Sequence, residues 1–97
     1  IAPGQLPLHY SPGIPLRMNT KKPKKDEAYL LIKNRKINLK NYYYLSKNKN
    51  LEQAAKNLFS LLRKVKNKGY KMIAVEKIPN FGIGKTINDR LKRASRF

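Results

Sequence analysis

Cysteine is absent from this sequence of 97 residues, and histidine occurs only once, as His9. The lack of cysteine excludes disulfide bonds, thiolate metal sites and thiol nucleophiles, and it favours a reducing compartment, for which we predict the cytoplasm. A single histidine excludes metal sites built on a histidine pair. The five carboxylates are dispersed along the chain, so no pair is placed for acid–base catalysis. We therefore predict no catalytic residue, no metal ligand and no bound cofactor in this chain.

Long apolar runs are also absent. None approaches the roughly 20 residues that a transmembrane helix needs, so we expect no contact with a membrane. The length suits one small domain with a limited core. The chain starts at Ile1, and its first residues have the composition of a linker. We interpret it as part of a longer polypeptide.

Acidic residues are scarce, because 23 lysines and arginines face five aspartates and glutamates and the formal charge is +18. Such a surface attracts polyanions at low salt, and a non-enzymatic RNA-binding module, or a weak contact with tRNA, stays open as an alternative function. Lysine, asparagine and isoleucine are over-used together, which is typical of an AT-rich coding sequence. We favour composition bias over a dedicated nucleic-acid site.

Residues 1–15 have the character of an extended linker. They hold four of the six prolines and show no helical or alternating apolar pattern. Proline fixes its own backbone angle and biases the preceding residue toward extended conformations. We place the domain boundary here, with a folded domain over residues 16–97. His9 and Tyr10 have no core of their own in this linker, so we expect them to pack on an adjoining domain or to reach a ligand.

The remaining sequence predicts an α/β domain with a small, mostly parallel sheet of about four strands and two main helices. One helix runs from a cap at Asn50 to Gly69, with an apolar stripe at helical spacing, and the other starts near Gly84. The segment from Lys21 to Asp26 is too short for a full crossover helix, so the sheet is expected to lack one covering helix. A strand, a helix and a strand in succession after residue 41 predict a parallel pair. The four predicted strands are Leu16–Asn19, Ala28–Ile32, Tyr42–Leu45 and Met72–Ile78.

Gly84-Lys85-Thr86 at the start of a helix resembles a phosphate-binding loop, but the position that requires an earlier glycine is Pro79, which has no amide hydrogen. We therefore interpret Gly82 and Gly84 as turn and helix-start glycines. Asp89 and Arg90 are interpreted as helix-surface charges, with Asp89 facing Arg93 one turn later, in preference to a catalytic pair.

Three consecutive tyrosines, Tyr42, Tyr43 and Tyr44, allow two interpretations. Their rings alternate between the two faces of a strand. Tyr43, or Tyr42 with Tyr44, could stack on nucleic-acid bases, as aromatic rings among cations do in single-strand binders. Pairing within the sheet and its core is the interpretation that we favour.

Two groups of residues resemble the linker and C-terminal domain of the two-domain threonylcarbamoyl-AMP synthases. The linker signature is Pro3, Gly4, Ser11 and Pro12 around His9 and Tyr10. The resemblance at the other end rests on Asn57-Leu58-Phe59, Gly82, Gly84, Asn88, Asp89 and Arg90. Together these motifs cover nearly the whole chain in the family's order.

The resemblance implies a Rossmann-like fold and a partner, an upstream YrdC-like catalytic domain that makes threonylcarbamoyl-AMP and pyrophosphate from threonine, bicarbonate and ATP for tRNA modification. ATP and Mg²⁺ would belong to that parent enzyme, and this part would be inert alone. The family's linker acts as a lid, so His9 and Tyr10 would approach the bound nucleotide or threonine, while Gly82, Gly84, Asn88, Asp89 and Arg90 would be structural. The chain departs from the family at Leu6-Pro7-Leu8, where basic or aromatic residues are frequent.

Overall fold

The computed structural model describes residues 13–37 and 39–95. Within them the chain forms four strands and two helices, which confirms the predicted α/β class. Neither helix is long and apolar enough to cross a membrane. The elements are β1 (Leu16–Arg17), β2 (Ala28–Leu31), β3 (Tyr42–Tyr44), α1 (Leu51–Asn67), β4 (Ile73–Val75) and α2 (Ile83–Ala94).

The four strands form one all-parallel sheet in the order β1-β4-β2-β3. The prediction that β3 and β4 pair directly is wrong, because β2 lies between them. The reason is burial: every residue of β2 and β4 is buried, so these strands occupy the centre, whereas the half-buried tyrosines of β3 suit an edge. In the register, Tyr29 of β2 lies opposite both Ala74 of β4 and Tyr42 of β3.

Helix α1 follows its sequence pattern closely. The side-chain oxygen of Asn50 accepts a hydrogen bond from the Gln53 amide at 3.0 Å, which caps the first turn. Gly69 follows the last turn with a φ of +90°, and its amide donates to the carbonyl of Lys66 at 3.0 Å. The helix buries Ala54, Leu58, Leu62 and Val65.

Both helices pack against the same face of the sheet, where they share one core with the alternate side chains of β2 and β4. On the other face, Tyr29, Leu31 and Ala74 form a second buried cluster with Tyr42 and Tyr44. In the described ranges, no helix follows β1 before β2, as expected. On this face, the connection from β2 to β3 places the guanidinium of Arg35 5.7 Å from the ring centroid of Tyr29.

Candidate functional site

The end of the linker is fastened to the domain at the amino end of β1. The Ile73 amide donates to the carbonyl of Pro15 at 2.9 Å, and Ile14 packs against the core beneath the helices. β1 then continues the pairing with β4 as Leu16 and Arg17. The chain that leaves the linker is therefore held by backbone hydrogen bonds and apolar packing from its first described residues.

An ion pair between the exposed Arg17 and the buried Glu27 reinforces this anchor. The guanidinium of Arg17 donates to both carboxylate oxygens of Glu27, at 2.8 and 2.6 Å. Glu27 is fully buried, and it also accepts a hydrogen bond from the Lys24 amide at 2.9 Å. The hydrogen bond from Arg17 lowers the pKa of Glu27 and outweighs the opposing effect of burial. This forked pair ties β1 to the residue that precedes β2.

A second polar network joins segments at the carboxyl ends of the strands. Arg35 donates through Nε and Nη2 to one oxygen of Glu76, at 3.1 and 2.5 Å, and the other oxygen accepts the Ile32 amide at 2.9 Å. Nη2 also donates to the hydroxyl of Tyr29 at 3.2 Å, and that hydroxyl donates to the carbonyl of Thr20 at 2.5 Å. Segments that follow β1, β2 and β4 thus meet in one network.

Two hollows of about 590 and 460 Å³ open at this carboxyl edge and share Asn19 and Lys77. In parallel α/β sheets, this edge is where ligand sites usually lie. Seven basic side chains and two carboxylates line the pair of hollows: Lys21, Lys33, Arg35, Lys49, Lys77, Lys85 and Lys92, with Glu76 and Asp89. The edge is therefore suited to attract anionic groups, and its chemistry is electrostatic.

The turn between β4 and α2 is close-packed around glycine. A Cβ on Gly84 would lie 1.9 Å from the carbonyl oxygen of Pro79, so this backbone approach admits only glycine without a shift. Gly82 caps the helix at a φ of +55°. Nδ2 of Asn88 donates to the carbonyl of Ile78 at 2.9 Å. The turn is filled by the protein's own backbone, which supports the rejection of a phosphate-binding loop.

Asp89 and Arg90 lie on α2. The Asp89 carboxylate accepts a hydrogen bond from Nε of Arg93 at 3.1 Å, as the helical spacing predicts. Arg90 lies 3.5 Å from the same carboxylate. These side chains are substantially exposed, and exposed pairs of this kind contribute little to stability. Their geometry agrees with helix-surface charges.

The three tyrosines of β3 are engaged within the domain. The ring of Tyr42 packs edge-on against Tyr29, with centroids 5.4 Å apart, and the hydroxyl of Tyr44 donates to the carbonyl of Ile37 at 3.2 Å. Tyr43 points to the helix side and packs edge-on against Tyr70. Burial raises the pKa of Tyr43 to about 12, and the contact with Tyr70 adds to this effect.

The linker residues predicted to matter most lie outside the described residues. They are His9, Tyr10, Pro3, Gly4, Ser11 and Pro12. Sequence reasoning also missed the two ion pairs, Arg17 with Glu27 and Arg35 with Glu76. The available signal was that Glu27 and Glu76 flank buried strands in a chain with few carboxylates, where burial demands a partner. Among the residues described, no three histidine or carboxylate side chains are grouped to hold a metal ion.

Comparison with known proteins identifies the family. No curated protein and no solved structure matches the chain. A family model described as "Threonylcarbamoyl-AMP synthase, C-terminal domain" matches residues 1–96. This match spans both the linker signature and the β4–α2 turn, in agreement with the resemblance seen in the sequence. The chain therefore belongs to the family of threonylcarbamoyl-AMP synthase C-terminal domains.

Proposed function

We propose that this chain is the lid and scaffold of a threonylcarbamoyl-AMP synthase. Residues 1–15 form the lid over the cleft of an upstream YrdC-like domain, and the α/β domain holds the end of that lid in place. The parent enzyme converts threonine, bicarbonate and ATP into threonylcarbamoyl-AMP and pyrophosphate, and its product serves threonylcarbamoyladenosine modification of tRNA in the cytoplasm. The chain alone is not catalytic.

The anchor at the end of the linker is the observation that supports this proposal. A lid works only if one end is fixed while the other reaches the ligand. Here Pro15 is fixed by the Ile73 amide, Ile14 by the core, and Arg17 by its fork onto Glu27. These contacts tie the linker to β4, a central strand, so the position of the lid follows that of the whole domain.

Two features of the described residues support placing ATP and Mg²⁺ in the upstream domain. The β4–α2 turn has the Pro79 carbonyl where a phosphate cradle needs open space, and the part of the chain described has no cluster of metal ligands. We therefore assign nucleotide and metal binding to the upstream domain. In this proposal, the chain closes the cleft of the upstream domain. Excluding water matters for a mixed anhydride, because water would hydrolyse the product.

His9 and Tyr10 are the residues that we assign to the ligand side of the lid. An imidazole and a phenol can donate hydrogen bonds to phosphate, carboxylate or ribose oxygens. Their proline-bracketed setting reduces the entropy lost when the lid closes, since the free linker is already restricted. Removing either side chain should lower the rate of synthesis in the full-length enzyme without unfolding the domain.

The deciding experiment measures pyrophosphate release that depends on threonine, ATP and bicarbonate. It compares the full-length parent, the upstream domain alone, and the upstream domain mixed with this chain. Activity that needs the tethered or added chain supports the lid. Full activity of the upstream domain alone contradicts it.

Single substitutions in the full-length enzyme test which linker side chains synthesis depends on. His9→Ala and Tyr10→Ala should reduce synthesis, whereas Lys22→Ala, an exposed loop position, is the matched control and should leave the rate unchanged. Circular dichroism establishes that each variant is folded. Wild-type rates for both lid variants would show that these side chains do not reach the ligand.

A non-enzymatic RNA-binding module is the alternative function, and the formal charge of +18 favours it. The two functions separate by their readouts, since the lid is tested by catalysis and RNA contact by equilibrium binding. Attraction by charge alone fades uniformly with salt and ignores the RNA's structure. Loss of tRNA binding at physiological salt would count against the alternative.

A further inference from the structure

A basic surface with two tyrosines lies at the amino edge of the sheet, opposite the carboxyl-edge hollows. It surrounds a hollow of about 550 Å³. Its lining comes from the segments that lead into β2, β3 and β4. We call it the Tyr43–Tyr70 surface, and its lining residues are Lys25, Asp26, Lys40, Asn41, Tyr43, Lys68, Gly69, Tyr70 and Lys71.

The two tyrosines are fixed relative to each other. Their ring centroids lie 6.0 Å apart at an interplanar angle of 86°, and the hydroxyl of Tyr70 lies 3.5 Å from the carbonyl of Lys40. Both side chains are half-buried, so part of each ring packs against the core and the rest lines the hollow. An ordered aromatic ring at the rim of a polar hollow can receive a planar base with little loss of entropy.

Cations continue from this hollow onto α1. A neighbouring hollow of about 410 Å³ shares Lys68 and adds Arg63 and Lys64. Nζ of Lys64 lies 6.0 Å from the ring centroid of Tyr43. The guanidinium of Arg63 lies 4.6 Å from the ring centroid of Phe59. The two hollows together carry six cations and one carboxylate: Lys25, Lys40, Arg63, Lys64, Lys68 and Lys71, with Asp26.

None of these six side chains is neutralised by a carboxylate in the described residues, although Arg63 and Lys64 lie near aromatic rings. The ion pairs of the described residues involve four arginines, Arg17, Arg35, Arg90 and Arg93, and none of the six. Composition bias explains a high lysine count, but it does not explain why lysines from three separate segments surround an ordered pair of tyrosines. Cations without carboxylate partners around an aromatic ring are the combination that single-strand sites use, with charge for the phosphates and stacking for the bases.

We infer that the Tyr43–Tyr70 surface binds a short single-stranded segment of RNA, with a base stacked on Tyr70 and the phosphates among the six cations. A duplex fits less well, because its bases are stacked on each other and cannot reach the ring. The described lining has no large aliphatic side chain, which disfavours a membrane surface. This binding goes beyond the lid function and does not depend on it.

The test measures the affinity of the full chain for a labelled single-stranded oligouridylate of roughly ten nucleotides by fluorescence anisotropy. If all six cations contact phosphates, the logarithm of the binding constant falls with the logarithm of salt concentration at a slope of about −4. A rise from about 50 to 200 mM salt then weakens binding roughly 250-fold. The triple variant Lys40→Gln, Lys68→Gln, Lys71→Gln should reduce the slope to about −2.

The matched control removes the same charge elsewhere. Lys22→Gln, Lys36→Gln and Lys56→Gln are exposed positions that line neither hollow, and this triple variant should keep nearly the wild-type slope. An equal reduction of the salt slope in the two triple variants would overturn the inference, because attraction would then depend on overall charge alone.

Tyr70→Leu tests stacking apart from charge. We expect roughly five- to hundredfold weaker binding, in the range measured when an aromatic stacking partner is removed. Tyr70→Phe keeps the aromatic ring and should bind with nearly wild-type affinity. The chain contains no tryptophan, so quenching of tyrosine emission on binding provides an independent signal that Tyr70→Leu should diminish. Unchanged affinity of Tyr70→Leu, or equal affinity for duplex RNA and for polyglutamate of the same charge, would overturn the inference.

Discussion

Arg35 and Glu76 are 41 residues apart in the sequence, and their side chains form a forked contact at the carboxyl edge of the sheet. The second oxygen of Glu76 accepts the Ile32 amide at 2.9 Å. One carboxylate thus holds the guanidinium and the backbone that follows β2. The described residues between β2 and β3 form no helix, and this contact gives that connection a fixed position on the sheet.

We expect Glu76→Gln and Arg35→Met each to lower the free energy of unfolding by about 1–3 kcal/mol, the range for hydrogen bonds to charged groups in partly buried sites. The Glu76 side chain is only 15% exposed, so water does not readily replace the hydrogen bonds that its partners lose. Urea unfolding of the single and double variants gives the coupling energy of the pair. Its value should be positive and at least about 1 kcal/mol.

The exposed pair of Asp89 and Arg93 is the matched control for this cycle. Its side chains are 49% and 41% exposed, so its coupling should be about 0.5 kcal/mol or less. Equal coupling in the two cycles would contradict a structural role for the Arg35–Glu76 contact.

The lowered pKa of Glu27 predicts that the fold loses stability in acid. The folded pKa of Glu27 is lowered, chiefly by the hydrogen bond from Arg17, whereas an unfolded glutamate has a pKa of about 4.3. A depressed folded pKa stabilises the native state above the unfolded pKa, and this stability is lost as pH falls through the folded pKa. Unfolding midpoints in urea, measured from neutral pH down through the region below about 4, should show this loss.

Glu27→Gln should lower stability at neutral pH by about 1–3 kcal/mol and should flatten the acid dependence, because the titrating group is gone. Glu52→Gln, at an exposed position in the first turn of α1, is the control and should keep the acid dependence of the wild type. An acid profile unchanged in Glu27→Gln would assign that loss to other carboxylates.

Much of the fold could be predicted from apolar patterns. The stripe of α1 and the continuous apolar run of β2 each describe burial directly, and both were confirmed. Strand order could not be read this way, because the pattern shows that β4 is buried but not which neighbours bury it. The partnership of Tyr43 with Tyr70 was likewise hidden, since it requires α1 to return the chain to the amino edge. Side-chain contacts between distant segments depend on topology, which a single sequence does not fix.

Gly84→Ala should destabilise the domain. The added Cβ would lie 1.9 Å from the Pro79 carbonyl oxygen, and backbone cannot yield as the end of a side chain can. We expect a loss of roughly 1–3 kcal/mol, the usual cost of overpacking. Thermal or urea unfolding measures it. Lys85→Ala, the exposed next residue, is the control and should stay within about 0.5 kcal/mol of the wild type. Wild-type stability of Gly84→Ala would show that the turn opens freely.

Tyr43 predicts a late step in the alkaline titration. Burial, with a smaller contribution from Tyr70, raises its pKa to about 12, and burial also raises the pKa of Tyr29. Exposed tyrosines ionise near pH 10. A raised folded pKa stabilises the native state below the unfolded pKa, and this stability is lost as pH rises toward the folded pKa. The phenolate absorbance of Tyr43 should therefore appear late in the titration, and that of Tyr29 should be displaced in the same direction.

Tyr43→Phe should reduce the late absorbance change, because the hydroxyl with the raised pKa has been removed. Tyr10→Phe lies in the linker and provides a comparison from the same chain. Circular dichroism recorded through the same pH range separates ionisation of the folded protein from unfolding. If all tyrosines titrated together near pH 10 while the helical signal persisted, the Tyr43 hydroxyl would be open to water, and its ring would be less firmly packed against Tyr70 than its 6.0 Å edge-on geometry implies.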